Sequence, residues 1–424
     1  FLSDPTKSHS PDNGTIACDH YHRYRDDVAL MKQLGLRAYR FSISWPRVMP
    51  SGRGDLNPAG LDFYDRLIDE LLAAGIQPLI TLYHWDLPAA LQHELSGWAC
   101  DDLPEIFADY ADAMFGRYAD RVKFWLTLNE PWVVVDAGYF HGTHAPGVRD
   151  RALGYRVGHN LLRAHAYAVE RFRARTRDDG AISFALNTTY SFPDRDIPAD
   201  HEAAQRAMLA FGGWFADPAH FGDYPTVLRE RLGDLLPRFS ERDASLLRGS
   251  MDFIALNYYT SDRIRHAPGD GPLEIRHVPM PHVPKTEMDW PILPSGLYHL
   301  LRWLADRYDR LPIYITENGA ALPDQPDENG FVDDQARITY LADHIAAMAA
   351  AMHAGVDVRG YFVWSLLDNL EWSLGFSKRF GIVRCDPATQ RRTIKASGRW
   401  YAKLISAGTI ESTTLGAPAR LAAP

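Results

Sequence analysis

The chain alternates between two kinds of segment. Short runs rich in β-branched and aromatic residues occupy 37–45, 76–84, 122–129, 181–187, 252–259, 312–317 and 359–365. They are apolar on successive positions, as strands buried on both faces should be. Between them lie longer stretches with helical spacing of apolar positions, at 24–34, 60–74, 103–119, 151–176, 200–216, 295–309 and 335–354. Gly35, Gly75 and Gly355 sit just past such stretches, where left-handed C-caps are expected.

Strands that alternate with helices predict parallel β/α units. Polar and aromatic residues gather toward the C-terminal ends of the strand runs: Arg40 and Trp45, His84 and Trp85, Asn129 and Glu130, Asn257 and Tyr259, Glu317 and Asn318, Trp364 and Ser365. In a (β/α)8 TIM barrel that end is the catalytic face. A doubly wound open sheet would place its ligand at one switch point and would not recruit nearly every strand. The predicted class is therefore α/β, a (β/α)8 TIM barrel. Only seven strand runs are found, and residues 1–20 are polar and rich in Pro, Asp and Ser, so the barrel is expected to lack its N-terminal first strand. A single catalytic domain is expected over 1–405, with 406–424 a loose Ala/Gly/Thr/Pro-rich tail. The segment 261–294 reads as a long loop over the strand ends with a small hairpin, and long loops in compact domains are usually functional.

Composition narrows the partners. The 424 residues are 46% hydrophobic and 23% charged, which suits a large folded core. The formal net charge of −9 argues against nucleic acid, whose phosphates need a basic face. No apolar run approaches the ~18 residues of a membrane span. Cys18, Cys100 and Cys385 are odd in number and widely spaced, implying neither a disulfide framework nor a zinc site. The opening residues do not form a signal peptide, so a cytoplasmic protein is expected. Aromatic residues make up 12% of the chain; core packing accounts for most, and a sugar cleft, where rings stack on the C–H faces of pyranoses, would use the rest.

The chemistry concentrates in two segments, Thr127-Leu128-Asn129-Glu130-Pro131 and Ile315-Thr316-Glu317-Asn318-Gly319. Each ends an apolar strand with a Glu, a costly placement unless the carboxylate is paired or functional. Capping a helix or pairing with a rim Arg would explain either one alone. Two such residues opening on one barrel mouth match what glycoside hydrolysis needs: one carboxyl protonated to donate to the leaving oxygen, the other ionised to attack the anomeric carbon.

With these segments in place, the chain resembles glycoside hydrolase family 1, the β-glucosidase family of retaining (β/α)8 enzymes. The resemblance runs from about residue 14 to about residue 403 and rests on YRFSISWPR (39–47), TLYHWDLP (81–88), TLNEPW (127–132), HAPG (144–147), NYYT (257–260), ITENG (315–319) and SLLDNLEW (365–372), in the family's order. It implies that Glu130 is the acid/base and Glu317 the nucleophile, with Arg40 and Tyr259 contacting the nucleophile. A neighbouring positive charge favours a carboxylate. It further implies substrate contacts from Asn129 to the 2-hydroxyl, His84 and Trp85 to the 3-hydroxyl, and Glu371 to the 4- and 6-hydroxyls. Trp364 would lie beneath the ring, Trp372 would form a wall, Asn257 would be a further contact, and Trp290 would stack on the aglycone. No metal or organic cofactor is implied, because the carboxylate pair suffices. The expected substrate is a small or oligosaccharide β-glycoside, with a role in cellulose degradation.

Relatives that take 6-phosphorylated sugars carry a smaller residue at the Glu371 position, with a Lys and a Tyr downstream. Here Glu371 would repel a phosphate and Phe380 replaces the Tyr, although Lys378 matches, so neutral sugars are favoured. Glucose, galactose and fucose are not separated. The chain also departs from the family in lacking the first strand with its Gln-x-Glu-Gly segment, whose Gln contacts the 3- and 4-hydroxyls. A barrel without one strand leaves two unpaired edges, and a homo-oligomer is one way to cover them. A sugar-binding relative without turnover is the competing reading.

Overall fold

The computed structural model describes residues 10, 12, 14–176 and 180–408. Among them, seven parallel strands form one sheet in sequence order: β1 (Ala38–Ser42), β2 (Gln77–Tyr83), β3 (Phe124–Asn129), β4 (Ala181–Asn187), β5 (Ile254–Asn257), β6 (Ile313–Asn318) and β7 (Val358–Val363). Each falls within or overlaps a predicted run. Sequential parallel pairing with a helix between strands is the barrel topology. Side chains from β1, β3 and β6 meet although these strands are not neighbours in the sheet, since Arg40 reaches both Asn129 and Glu317. The sheet is thus curled into a nearly closed barrel.

No ladder joins β1 to β7 among the described residues. A cavity of about 310 Å³ lies between these two edges, lined by Tyr39, Arg40 and Phe41 on one side and Tyr361, Val363 and Trp364 on the other. This is the place of the strand expected to be missing.

The major helices are α1 (His20–Gln33), α2 (Pro58–Ala73), α3 (Leu103–Tyr118), α4 (Arg151–Thr176), α5 (Pro294–Arg307), α6 (Gln335–His353) and α7 (Ala396–Ala407). Proline occupies the first turn of α2, α3 and α5, where its missing N–H costs nothing. Three helices close identically. Gly35, Gly75 and Gly355 adopt φ of +73°, +75° and +93°. The next residue then donates back across the last turn, Leu36 to Met31, Ile76 to Leu71 and Val356 to Ala351, which is the Schellman closure expected of a glycine past a helix end.

Several expectations need correction. Trp45 does not reach the mouth; it is fully buried and stacks on Tyr110 at 4.7 Å, where a ring of its size fills the layer between barrel and helices. The run 200–216 is not one helix. A helix at Pro198–Met208 passes through a π-turn at Leu209–Gly213 and continues over Trp214–Phe221, and the Gly212-Gly213 pair is a weak point for regular helix. Helix α7 runs two residues past the expected domain end at 405, and the rest of the expected tail, from 409, lies outside the described residues. The long loop does hold a hairpin, Asp262–His266 with Ile275–His277, extended by a strand at Ser191–Pro193. No described helix is long and apolar enough to cross a membrane.

Candidate active site

The C-terminal ends of the strands bring Glu130 and Glu317 to one mouth, 6% and 3% exposed. Their surroundings differ. The Glu317 carboxylate accepts from the Arg40 guanidinium through one oxygen and from the Tyr259 hydroxyl, at 2.5 Å, through the other. Arg40 is itself held from three directions: its Nη2 donates to Asn129 Oδ1 at 2.5 Å and its Nε to Thr81 Oγ1 at 3.2 Å. Among the described residues, Glu130 has no cation within hydrogen-bonding reach. Its Oε1 accepts from the Asn257 amide at 2.7 Å. Burial, and then the charge of Glu317, push the Glu130 carboxyl up to about 8.

Asn257 spends its amide on Glu130 and on Asn129 Oδ1 at 3.2 Å, while its own oxygen accepts from Thr316 Oγ1 at 2.7 Å. It is 1% exposed. Its contacts therefore set the Glu130 carboxyl and the neighbouring amide; in the described structure it is engaged with protein on both sides. Asn129 Oδ1 is filled by Arg40 and Asn257, so Nδ2 must face His84 Nε2, 3.1 Å away. Burial and the charge of Arg40 pull the His84 ring down to about 3. A neutral ring that accepts at Nε2 carries its proton on Nδ1, which leaves a donor for a ligand hydroxyl. The second N–H of Asn129 has no protein partner among the described residues.

Aromatic walls flank these groups. Trp85 donates through its indole N–H to the Asn129 carbonyl at 2.9 Å, and its ring lies 5.3 Å from that of Trp372. Trp364 lies 6.0 Å from His84. Trp290 packs against Tyr259 at 5.2 Å, and Phe380 lies near both rings. Glu371 stands across the mouth, its carboxyl raised to about 7 by burial and then by the charge of Glu317. Lys378 is tied by its ammonium to the backbone carbonyl of Glu287 at 2.8 Å, so it holds the loop bearing Trp290.

Three of these residues adopt left-handed backbone: Trp85, Glu130 and Trp372, with φ of +75°, +45° and +43°. Such a conformation costs a non-glycine residue about 1 kcal/mol or more and persists only where the surroundings impose it. Gly319 has a different task. A Cβ there would sit 1.8 Å from the Trp364 carbonyl, so glycine lets the strand carrying Glu317 approach the chain that carries Trp364. From the sequence, Asn318 is a strand-end polar residue. It bonds the Tyr258 carbonyl at 2.8 Å, the Tyr340 hydroxyl at 3.2 Å and the Tyr361 hydroxyl at 2.6 Å, and so joins β5, β6, β7 and α6 beneath the mouth. Its place in the ITENG segment was the one available signal.

Residues 1–409 match Glycosyl hydrolase family 1. The chain belongs to glycosyl hydrolase family 1. It is 46% identical over 414 residues to beta-glucosidase A of Thermotoga maritima, covering 96% of this chain and 92% of that protein. A 1,4-beta-D-glucan glucohydrolase of Thermotoga neapolitana is 46% identical over 408 residues, covering 94% and 91%. The solved structure of the family 1 β-glucosidase from Thermotoga maritima superposes with a TM-score of 0.92 at 44% identity, covering 97% of this chain and 91% of that one. The same enzyme has been solved with deoxynojirimycin bound, at a TM-score of 0.90. As a family 1 member the chain is a glycoside hydrolase.

Proposed function

We propose that this glycoside hydrolase is a retaining β-glucosidase. Glu317 attacks the anomeric carbon of a terminal β-D-glucosyl unit from below the ring, while Glu130 gives its proton to the departing glycosidic oxygen. The resulting glucosyl ester on Glu317 is then hydrolysed by water, which Glu130, now ionised, deprotonates. The observation that carries this reading is the contrast between the two carboxyl groups. One is met by a guanidinium and a phenol, suited to an anion, and the other by burial and a neutral amide, suited to holding a proton near neutral pH.

His84 Nδ1, the free Asn129 N–H and Glu371 supply donors and acceptors for ring hydroxyls, and Trp364, Trp372 and Trp290 supply stacking faces. Glu371 favours a neutral glycone, and Lys378 is already engaged, so a 6-phosphate finds no partner there. The relative named for 1,4-beta-D-glucan supports short β-1,4-glucans as natural substrates, in keeping with cellulose breakdown. Galactosyl and fucosyl units differ from glucosyl in groups that Glu371 would face, and both are proposed as secondary substrates.

A second reading, sugar binding without turnover, draws on the cavity between β1 and β7, which borders Arg40, His84 and Trp364 and leaves that side of the site open. One experiment separates the two. Treatment with a 2-deoxy-2-fluoro aryl β-glucoside, followed by intact-mass measurement, is expected to add one fluoroglucosyl unit to the protein and none to Glu317→Gln. A protein that stays unlabelled would favour the binding reading.

A further inference from the structure

Behind the Trp364–Trp372 segment lies a cluster of five charged side chains that takes no part in the chemistry above. Asp324, Asp334, Arg337, Asp368 and Lys395 are each 6% exposed or less. The Lys395 ammonium donates to Asp368 Oδ1 at 2.7 Å and also to Asp324. The Arg337 guanidinium donates to Asp324 Oδ1 at 3.0 Å, to Asp334, and to the backbone carbonyl of Arg379 at 2.8 Å. Asp334 in turn accepts from the Ser397 N–H at 2.8 Å and its hydroxyl at 2.6 Å.

The cluster converges on the sugar-facing loop. Asp368 lies between Trp364 and Glu371 in sequence. Its Oδ1 accepts from the Gly381 N–H at 3.0 Å, and its own N–H donates to the Val383 carbonyl at 3.0 Å. A Cβ at position 381 would stand 2.2 Å from the Asp368 nitrogen, so the two chain segments are in direct backbone contact. Lys395 immediately precedes α7, Arg337 lies in the first turn of α6, and Asp324 follows β6. The loop that holds Glu371 is thus fastened at its middle to two helices and a neighbouring loop.

Stability is a poor reason for such an arrangement. Desolvating five charges costs about as much as their pairing returns, and well-packed apolar side chains often do as well or better. What ion pairs add is direction: each donor and acceptor meets in one geometry. We propose that Asp368 and Lys395 are positioning residues for sugar recognition, fixing the loop so that Glu371 meets the 4- and 6-hydroxyls and the enzyme discriminates at the C5-hydroxymethyl group. This rests on the reading of the mouth as a β-glucosidase site.

The test compares p-nitrophenyl β-glucoside with p-nitrophenyl β-xyloside, which lacks the hydroxymethyl group. Lys395→Met and Asp368→Asn are measured, with the concentration of competent sites counted by 2-deoxy-2-fluoroglucosyl labelling. Per competent site, kcat/KM for the glucoside should fall about tenfold or more, mostly through KM, while the xyloside loses less than about threefold. Asp368→Asn keeps the side-chain shape and its acceptor for the Gly381 N–H, so it gives the answer if Lys395→Met does not fold. Equal losses on both substrates, or no loss on either, would overturn the proposal. Absence of labelling in the parent protein would instead sink the β-glucosidase reading, so the two failures are distinguishable.

Discussion

The ends of β6 and β3 each present a buried glutamate to the same barrel mouth, and they treat it in opposite ways. Glu317 on β6 is served by a guanidinium and a phenol, one on each oxygen. Glu130, just past β3, receives a neutral amide, and its burial raises its carboxyl. Both residues are nearly inaccessible, so burial alone does not separate them. The separation comes from β1, which delivers Arg40 to one and not the other. A single strand position thus gives an otherwise similar pair different partners, which under the proposed mechanism suits Glu317 to attack an anomeric carbon and Glu130 to supply a proton.

The contrast can be broken most severely at its anionic end. Glu317→Gln should lower kcat by at least about 10⁴-fold on any aryl β-glucoside, because no covalent intermediate can form. At the acid end the loss depends on the substrate. Glu130→Gln should cost about 10²–10⁴-fold on alkyl β-glucosides and cellobiose, whose leaving oxygens need a proton. It should cost far less in the first step on 2,4-dinitrophenyl β-glucoside, which pre-steady-state burst kinetics would reveal. Tyr259→Phe removes one charge-assisted hydrogen bond from the nucleophile, and about a 10–100-fold fall in kcat/KM is expected.

The acid's proton sharpens the contrast further. A carboxyl raised to about 8 holds its proton below that pH, so kcat/KM should decline as pH rises through about 8. The charge of Glu371 contributes to the rise, so Glu371→Gln should move this alkaline limb downward. The smallest effect is on stability. Because the folded state disfavours the ionised form of Glu130, the cost of burying it is absent at low pH, develops above the ordinary carboxyl range, and is complete above about pH 8. Glu130→Gln should therefore raise Tm by about 1–3 °C at pH 8 and change it little near pH 4, as calorimetry would show.

Much of this was legible in the sequence. The seven strand runs, the three glycine-capped helices and the two Glu-bearing segments all carry local patterns that periodicity and turn chemistry report. Less legible was what depends on distant pairing. Trp45 and Trp85 both follow apolar strand runs, yet one is buried against Tyr110 and the other lines the mouth, because the turn at Trp85 adopts a left-handed backbone that no composition announces. Asn257 looked like one more mouth residue, and only the fold shows its amide committed to Glu130 and Asn129. The Asp368–Lys395 pair was invisible for the same reason: its members are separated along the chain by an antiparallel hairpin, Val383–Cys385 with Arg392–Ile394, and meet only in the folded chain.

The division of labour between Glu317 and Glu130 is tested most directly by azide rescue of Glu317→Ala and Glu130→Ala, reading the anomeric configuration of the glucosyl azide by NMR. Azide in the space vacated by Glu317 attacks the β-glucoside from below and should give the α-azide. Azide replacing the general base in Glu130→Ala attacks the Glu317 ester from above and should give the β-azide. The same configuration from both variants, or the two reversed, would contradict the assignment.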